Sequence, residues 1–240
     1  MLADTTDQLR AVALDAADAS GYFAAMYARV TSAVDDAIAA GRFVDGSGMA
    51  SFARAFAARY LVPRSGQPPI PGCWQAAWDV SADRDLLVVQ HLLLGVNAHV
   101  NHDLPLVVVD LAGERGGLDA MRSDFEAINR ILAETQPRVM KDLGLTSRWV
   151  NVVASLGAGR VFDFSLDVAR EQAWRSAERL YGMDPVDRPD DVAELDQLVR
   201  VLAYLVAHPR TPLRCVIPIL RRFEDNDPRR VTRALLGAIA

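Results

Sequence analysis

The stretch DLLVVQHLLLGVNAHVNHDLP, Asp85 to Pro105, decides how the chain is read. From Asp85 to Leu94 it is apolar almost all round, the pattern of a helix buried in a core rather than lying on its surface. Between Gln90 and Pro105 it also carries three of the four histidines, His91, His99 and His102, together with Asn97, Asn101 and Asp103. Polar groups on a buried helix cannot rely on bulk water and must find partners inside the protein. On a regular helix with His91 at zero, His102 falls at roughly 20°, His99 at roughly 80° and Asp103 at roughly 120°. Asn97 and Asn101 fall at roughly 240° and 280°, the opposite side. The spacing therefore predicts two polar faces. The imidazole and carboxylate face is assigned to a cleft, because those groups move protons or bind metal; the amide face is assigned to a structural hydrogen-bonding seam.

Helical periodicity extends outward from this segment, and the expected fold is all-α: a multi-helix orthogonal bundle around the central apolar helix that contains His91. Phe23, Met26, Tyr27, Val30, Val34 and Ile38 recur at three- and four-residue spacings, and Gly41 ends that helix. A second amphipathic segment runs from Met49 to Leu61, with Pro63 as its stop and RSGQPPIPG (Arg64 to Gly72) as a connector. Trp74 and Trp78 suit a short helix, and Ser81 suits the N-cap of the helix through His91. LPLVVVDLAG, the one strand-like run, has no second run to pair with and reads as a buried helix or an extended connector. Further helices are expected over Leu118 to Leu143 (disturbed by Pro137), Ser147 to Ser155, Ser165 to Tyr181, Asp190 to Ala207, Thr211 to Phe223 and Val231 to Ile239. SLGAGR (Ser155 to Arg160) reads as a turn. GMDPVDRPDD, Gly182 to Asp191, is the best linker candidate, giving a single domain over 1–240 with a C-terminal helical subdomain from 190 to 240 as the alternative.

Composition narrows the function classes. The 240 residues are 51% hydrophobic and 24% charged, a packed chain rather than a disordered one. The formal charge of -5 is mixed along the chain, which argues against a nucleic-acid groove. The basic run at Arg221, Arg222, Arg229, Arg230 and Arg233 is interrupted by Glu224, Asp225 and Asp227 and suits a solvated helix face. Cys73 and Cys215 match no zinc spacing. MLADTTDQLR lacks a signal-peptide pattern, and Gln90, His91, Asn97 and His99 interrupt the longest apolar run, so no membrane span is expected and a cytoplasmic location is. P-loop, dinucleotide, flavin and nucleophile-elbow motifs are absent.

His99 and Asp103 form an i, i+4 pair whose side chains can meet. Two chemistries suit a small-molecule enzyme built on His99, Asp103 and His91. In one, His99 and Asp103 hold a single divalent ion; in the other, Asp103 orients His99 for acid–base work in an elimination, cyclisation or isomerisation. His102, Asn97 and Asn101 are candidate substrate contacts, as are Arg59, Tyr60, Asp124, Arg170 and Trp174, polar residues set in otherwise apolar helical patterns. Each of the last five more often serves as a buried ion pair or a helix-packing residue. Asp103, directly before Leu-Pro, equally suits the N-cap of a following helix with Pro105 in its first turn. A non-catalytic binding or scaffold protein, with the polar helix as a hydrogen-bond network, is the alternative class.

Four segments carry a resemblance to a known family: HLLLGVNAHVNHDLP, FARAFAARYL, DFEAINRIL and FAAMYARVTSAVDDAIAAGRF. Together they resemble the bacterial and fungal proteins grouped as DUF5995, a likeness that covers most of the chain and implies no activity. Gly95, His99 and Asp103 are also similar to the Gly-x-x-x-His-x-x-x-Asp pattern of the zinc-dependent phospholipase C and single-strand nuclease group. That second resemblance implies zinc at His99 and Asp103. Four histidines are too few for that group's multi-metal site, which leaves one ion held by this pair and one or two other residues.

Overall fold

The apolar run becomes the central element, and it is longer than the sequence suggests: Val88–Arg115 is one continuous helical rod of 28 residues. By length and mean hydropathy alone it passes as a helix that could cross a bilayer. Its apolar window is 78% buried inside the protein, so the fold itself accounts for the hydrophobicity. The structure, a computed structural model, describes residues 1–155, 158–211 and 213–238, with the side chains of 152–165 and 213 left aside.

Among the described residues every regular element is helical. The order is α1 (Ala3–Asp15), α2 (Ser20–Ala39), α3 (Gly46–Arg64), α4 (Gly72–Asp79) and α5 (Val88–Asn97), then a π-helical segment (Ala98–Asp103) that leads straight into α6 (Leu104–Ala112). After these come α7 (Asp119–Thr146), α8 (Arg148–Ser155), α9 (Ala158–Tyr181), α10 (Arg188–Ala207), α11 (Leu213–Arg221) and α12 (Pro228–Leu235). The strand-like LPLVVVDLAG is thus helical, as the lack of a pairing partner requires. The turn expected at Ser155 to Arg160 and the end of the last helix at Ile239 fall partly on residues 156–157 and 239, outside the described residues.

Around the rod, α2, α4 and α10 pack on α5, while α3 and α9 pack on α6 and on the π segment. One apolar cluster gathers Phe23, Trp74, Leu92, Leu94 and Val199; the other gathers Val34, Phe52, Leu104, Val108, Phe125 and Trp174. The chain's last helices join the same packing, α10 on α4 and α5 and α12 on α1, α2 and α7.

The start of the rod departs from expectation. Ser81 is no N-cap: its hydroxyl bonds Asp18, and the helix begins seven residues later at Val88. The first orphan amides are met by two other side chains instead. Val88 N donates to the buried Glu224 carboxylate at 3.0 Å, and Leu87 N donates to Gln90 Oε1 at 2.9 Å. Further along, Gln90 and Asn97 each donate an amide to a backbone carbonyl of α10, Val206 and Val199. These bonds fix the rod's rotation against α10. Pro63, expected as a stop, lies inside the last turn of α3, where it removes only one hydrogen bond.

Gly95 sets how closely α2 approaches. A Cβ there would lie 2.5–2.7 Å from the Phe23 ring and its Cβ, atoms with no freedom to retreat. Gly95→Ala is therefore expected to lower stability by about 1–3 kcal/mol through overpacking, seen as a lower urea midpoint with an unchanged denaturant slope.

Candidate functional site

The π segment gathers the chemistry. An α-helix does not let neighbours i and i+1 face each other, yet here both His99 and His102 reach the carboxylate of Asp103. The wider π turn makes room for that, in keeping with the frequent placement of such turns at functional sites. His99 Nδ1–H donates to Asp103 Oδ2 at 3.0 Å, and His102 Nδ1–H donates to Oδ1 at 2.9 Å. Trp74 Nε1–H, from α4, donates to Oδ2 at 2.9 Å.

Asp103 is only 1% exposed. Burial opposes its charge, but the bonds from His102 and His99 outweigh that, and its carboxyl sits below the ordinary value of 3.8. A carboxylate only accepts, so both imidazoles carry their proton on Nδ1. For His99 this leaves Nε2 as a lone-pair nitrogen, and it is buried with no hydrogen-bond partner. Desolvation is the main influence on His99 and lowers its pKa below 6.5 despite the carboxylate, so the ring is neutral at neutral pH.

Aromatic rings hold that imidazole in place. Phe56 stacks on it at 3.6 Å between centroids and 10° between planes, and Tyr27 and Phe23 meet it edge-on at 4.6 and 5.4 Å. His99 lines a cavity of about 160 Å³ whose walls are otherwise mostly aliphatic and aromatic, from Met26 and Val30 of α2 to Leu132 and Val139 of α7. One buried cation shares the wall, Arg170 of α9. Its guanidinium donates to Asn129 Oδ1 at 2.6 Å and to the Phe125 carbonyl at 2.8 Å, both neutral acceptors, and lies 4.3 Å over the Phe125 ring. Burial lowers its pKa to about 10, which leaves it charged at neutral pH.

The remaining sequence candidates separate. His91 does not join the cleft: it stands eight residues, or about 12 Å of helix axis, from His99, a separation that a projection down the axis hides. Its Nε2–H donates to the Asp83 carbonyl at 3.2 Å, in a different pocket with Tyr22, Asp18 and Arg221. Asn101 donates to Asn97 at 2.9 Å and Asn97 to Val199 O, the expected amide seam and not a substrate surface. Asp124 accepts from the amides of Val44 and Asp45 ahead of α3, and Arg59 pairs with Asp110 at the surface. Trp174 donates to Glu178 and packs on Phe125. Tyr60 is buried against Phe23 and Trp74, where burial raises its phenol to about 12. Asp103 makes no N-cap bond, because the helix runs through it.

A metal shared by His99 and Asp103 conflicts with this geometry, since the His99 nitrogen nearest the carboxylate is already committed to it by a hydrogen bond. Gly95, the glycine of the zinc-like pattern, serves the Phe23 contact. The residues whose ligand atoms converge, among those described, are Cys73, His102 and Asp196. Sequence reasoning passed over Trp74, Phe56, Cys73 and Asp196. Only Trp74 carried a signal: a buried indole N–H needs an acceptor, and Asp103 needed donors.

His91 and His99 are both held below 6.5 chiefly by burial. As pH falls below that value the unfolded chain takes up protons that the folded chain refuses, so stability present above pH 6.5 is lost on acidification. His99→Gln is expected to flatten the fall between pH 7 and 5 by up to one proton, about 1.4 kcal/mol per pH unit. Urea titrations of both proteins across that range provide the check.

No curated protein and no solved structure matches this chain. A family match does exist, over residues 2–209, and it takes in every residue of the cavity wall and of the Asp103 cluster. The chain belongs to the family described as Family of unknown function (DUF5995).

Proposed function

We propose that this protein is an enzyme that moves a proton on a small, largely apolar molecule, with His99 as the general base. The observation that carries this reading is the pairing within one ring: Nδ1 is fixed by the buried Asp103, and Nε2 is buried without a partner, on a residue that lines an apolar cavity. An unsatisfied buried nitrogen weakens a fold that gains nothing from it. A neutral imidazole held by a carboxylate beside an apolar cavity is, in contrast, what proton abstraction needs. Asp103 acts here as a positioning residue, fixing the tautomer and stabilising the imidazolium that forms.

Size and charge narrow the substrate. A cavity of about 160 Å³ is comparable to an engineered one of about 150 Å³ that takes up benzene, so a single ring or a short branched chain suits it. Among the described residues Arg170 offers the one positive charge on the wall, toward which an oxygen that gains negative charge can turn. Abstraction of a proton next to a carbonyl, leading to isomerisation, elimination or ring closure, uses both groups.

The test is deuterium incorporation from D2O into a panel of small apolar ketones and aldehydes, followed by mass spectrometry, with ligand-observed NMR to report occupancy. Exchange by the wild type that drops about 10²–10⁴-fold in His99→Gln supports the reading. Compounds that occupy the cavity without exchanging, or that exchange equally with the variant, overturn it and make this a binding cavity.

A further inference from the structure

On the other side of the Asp103 carboxylate lies a cluster that proton transfer at His99 does not use. Ligand atoms of Cys73 (α4), His102 (π segment) and Asp196 (α10) all lie within 4.8 Å of one another. We propose that these three residues bind one zinc-class divalent ion, tying together the three elements that surround Asp103.

Three features support the site. First, His102 is pre-oriented: its Nδ1–H is committed to Asp103 Oδ1 at 2.9 Å, which leaves Nε2 as its metal-binding nitrogen. A carboxylate behind a histidine is the usual outer arrangement of metal-ligating imidazoles. Second, Asp196 is anchored beside Cys73. Its two oxygens accept from Cys73 N at 2.8 Å and Gly72 N at 3.0 Å, and each keeps a further lone pair. Gly72 permits this approach, since a Cβ there would lie 2.7 Å from Asp196 Oδ2. Third, the donor set of one thiolate, one imidazole and one carboxylate suits zinc, and suits magnesium or calcium poorly.

Tetrahedral zinc needs its ligand atoms about 3.3–3.6 Å apart, so from separations of up to 4.8 Å the cluster has to contract by about 1.5 Å at most. Binding replaces the thiol proton, which leaves to solvent, with a sulfur–metal bond. Three protein ligands leave one coordination position for water or a small ligand. Both the thiol and the imidazole are buried, so an ion here is shielded from competing water.

The experiment is a cobalt(II) titration of the full-length protein after chelator treatment, read by absorption. One cobalt per chain with a near-ultraviolet thiolate-to-cobalt charge-transfer band is expected. The band should vanish in Cys73→Ser and in Cys73→Ala, and persist in Cys215→Ser, which alters the exposed thiol. Asp103→Asn should weaken cobalt binding about 10–100-fold by releasing His102. Far-UV circular dichroism confirms that each variant is folded before it is read. A wild type that shows no charge-transfer band overturns the proposal without reference to any variant, as does a band that survives in folded Cys73→Ser or is lost in folded Cys215→Ser. Proton exchange at His99 is a separate readout, so either reading can fail alone.

Discussion

A single negative charge in the middle of the protein organises what surrounds it. Taking a carboxylate out of water is costly by several kcal/mol unless donors replace the solvent, and Asp103 is all but sealed from solvent. Three N–H groups make the replacement, two from its own helix and one from α4. Each demand shapes the fold. Reaching both histidines needs the wide turn; reaching Trp74 needs α4 docked against the rod; and the ring held by Asp103 is packed in turn by Phe56, Tyr27 and Phe23. With Asp103 removed, three buried donors would lose their common acceptor at once.

The rod also separates two kinds of polarity. On the amide side, Gln90 and Asn97 spend their donors on the backbone of α10. Nothing there is left to react. On the imidazole side the protons are shared with a charge, and the arrangement ends in a nitrogen with no partner. The same helix thus contains a seam whose bonds are complete and a site whose bonding is unfinished.

Much of this was legible in sequence, and the misses have physical causes. The all-round apolar character of 85–94 gave the buried rod, and alternate polar faces on one helix gave the amide seam and the His99–Asp103 pair, because those signals are local. His91 was misplaced because a helical wheel discards axial distance. The π turn was invisible, since no residue pattern in AHVNHD announces a change of winding. Ser81 looked like a cap, but the cap came from Glu224, which is distant in sequence and brought close only by the fold. Helix α1 was missed for a similar reason: its first turns carry Asp4, Thr5, Thr6 and Asp7, and Leu9 and Ala13 declare themselves as core only once α2 lies against them. Arg170 stood out in sequence as a polar residue in an apolar pattern, whereas its place on the His99 cavity depends on α9 crossing the rod, which spacing does not encode.

The wide turn has one further consequence, for chain length. Successive residues on a regular helix turn by about 100°, so one residue more or fewer rotates every later side chain by that angle. The segment Ala98–Asp103 therefore sets the rotational phase of α6, with Leu104, Val107 and Val108 turned inward, separately from that of α5, where Leu94 and Gly95 are turned inward. Loss of a single residue here would restore ordinary winding and rotate the α6 stripe out of register with α3 and α9, all in one step. A one-residue change in the rod is therefore expected to disturb the packing far more than one in the connections between helices.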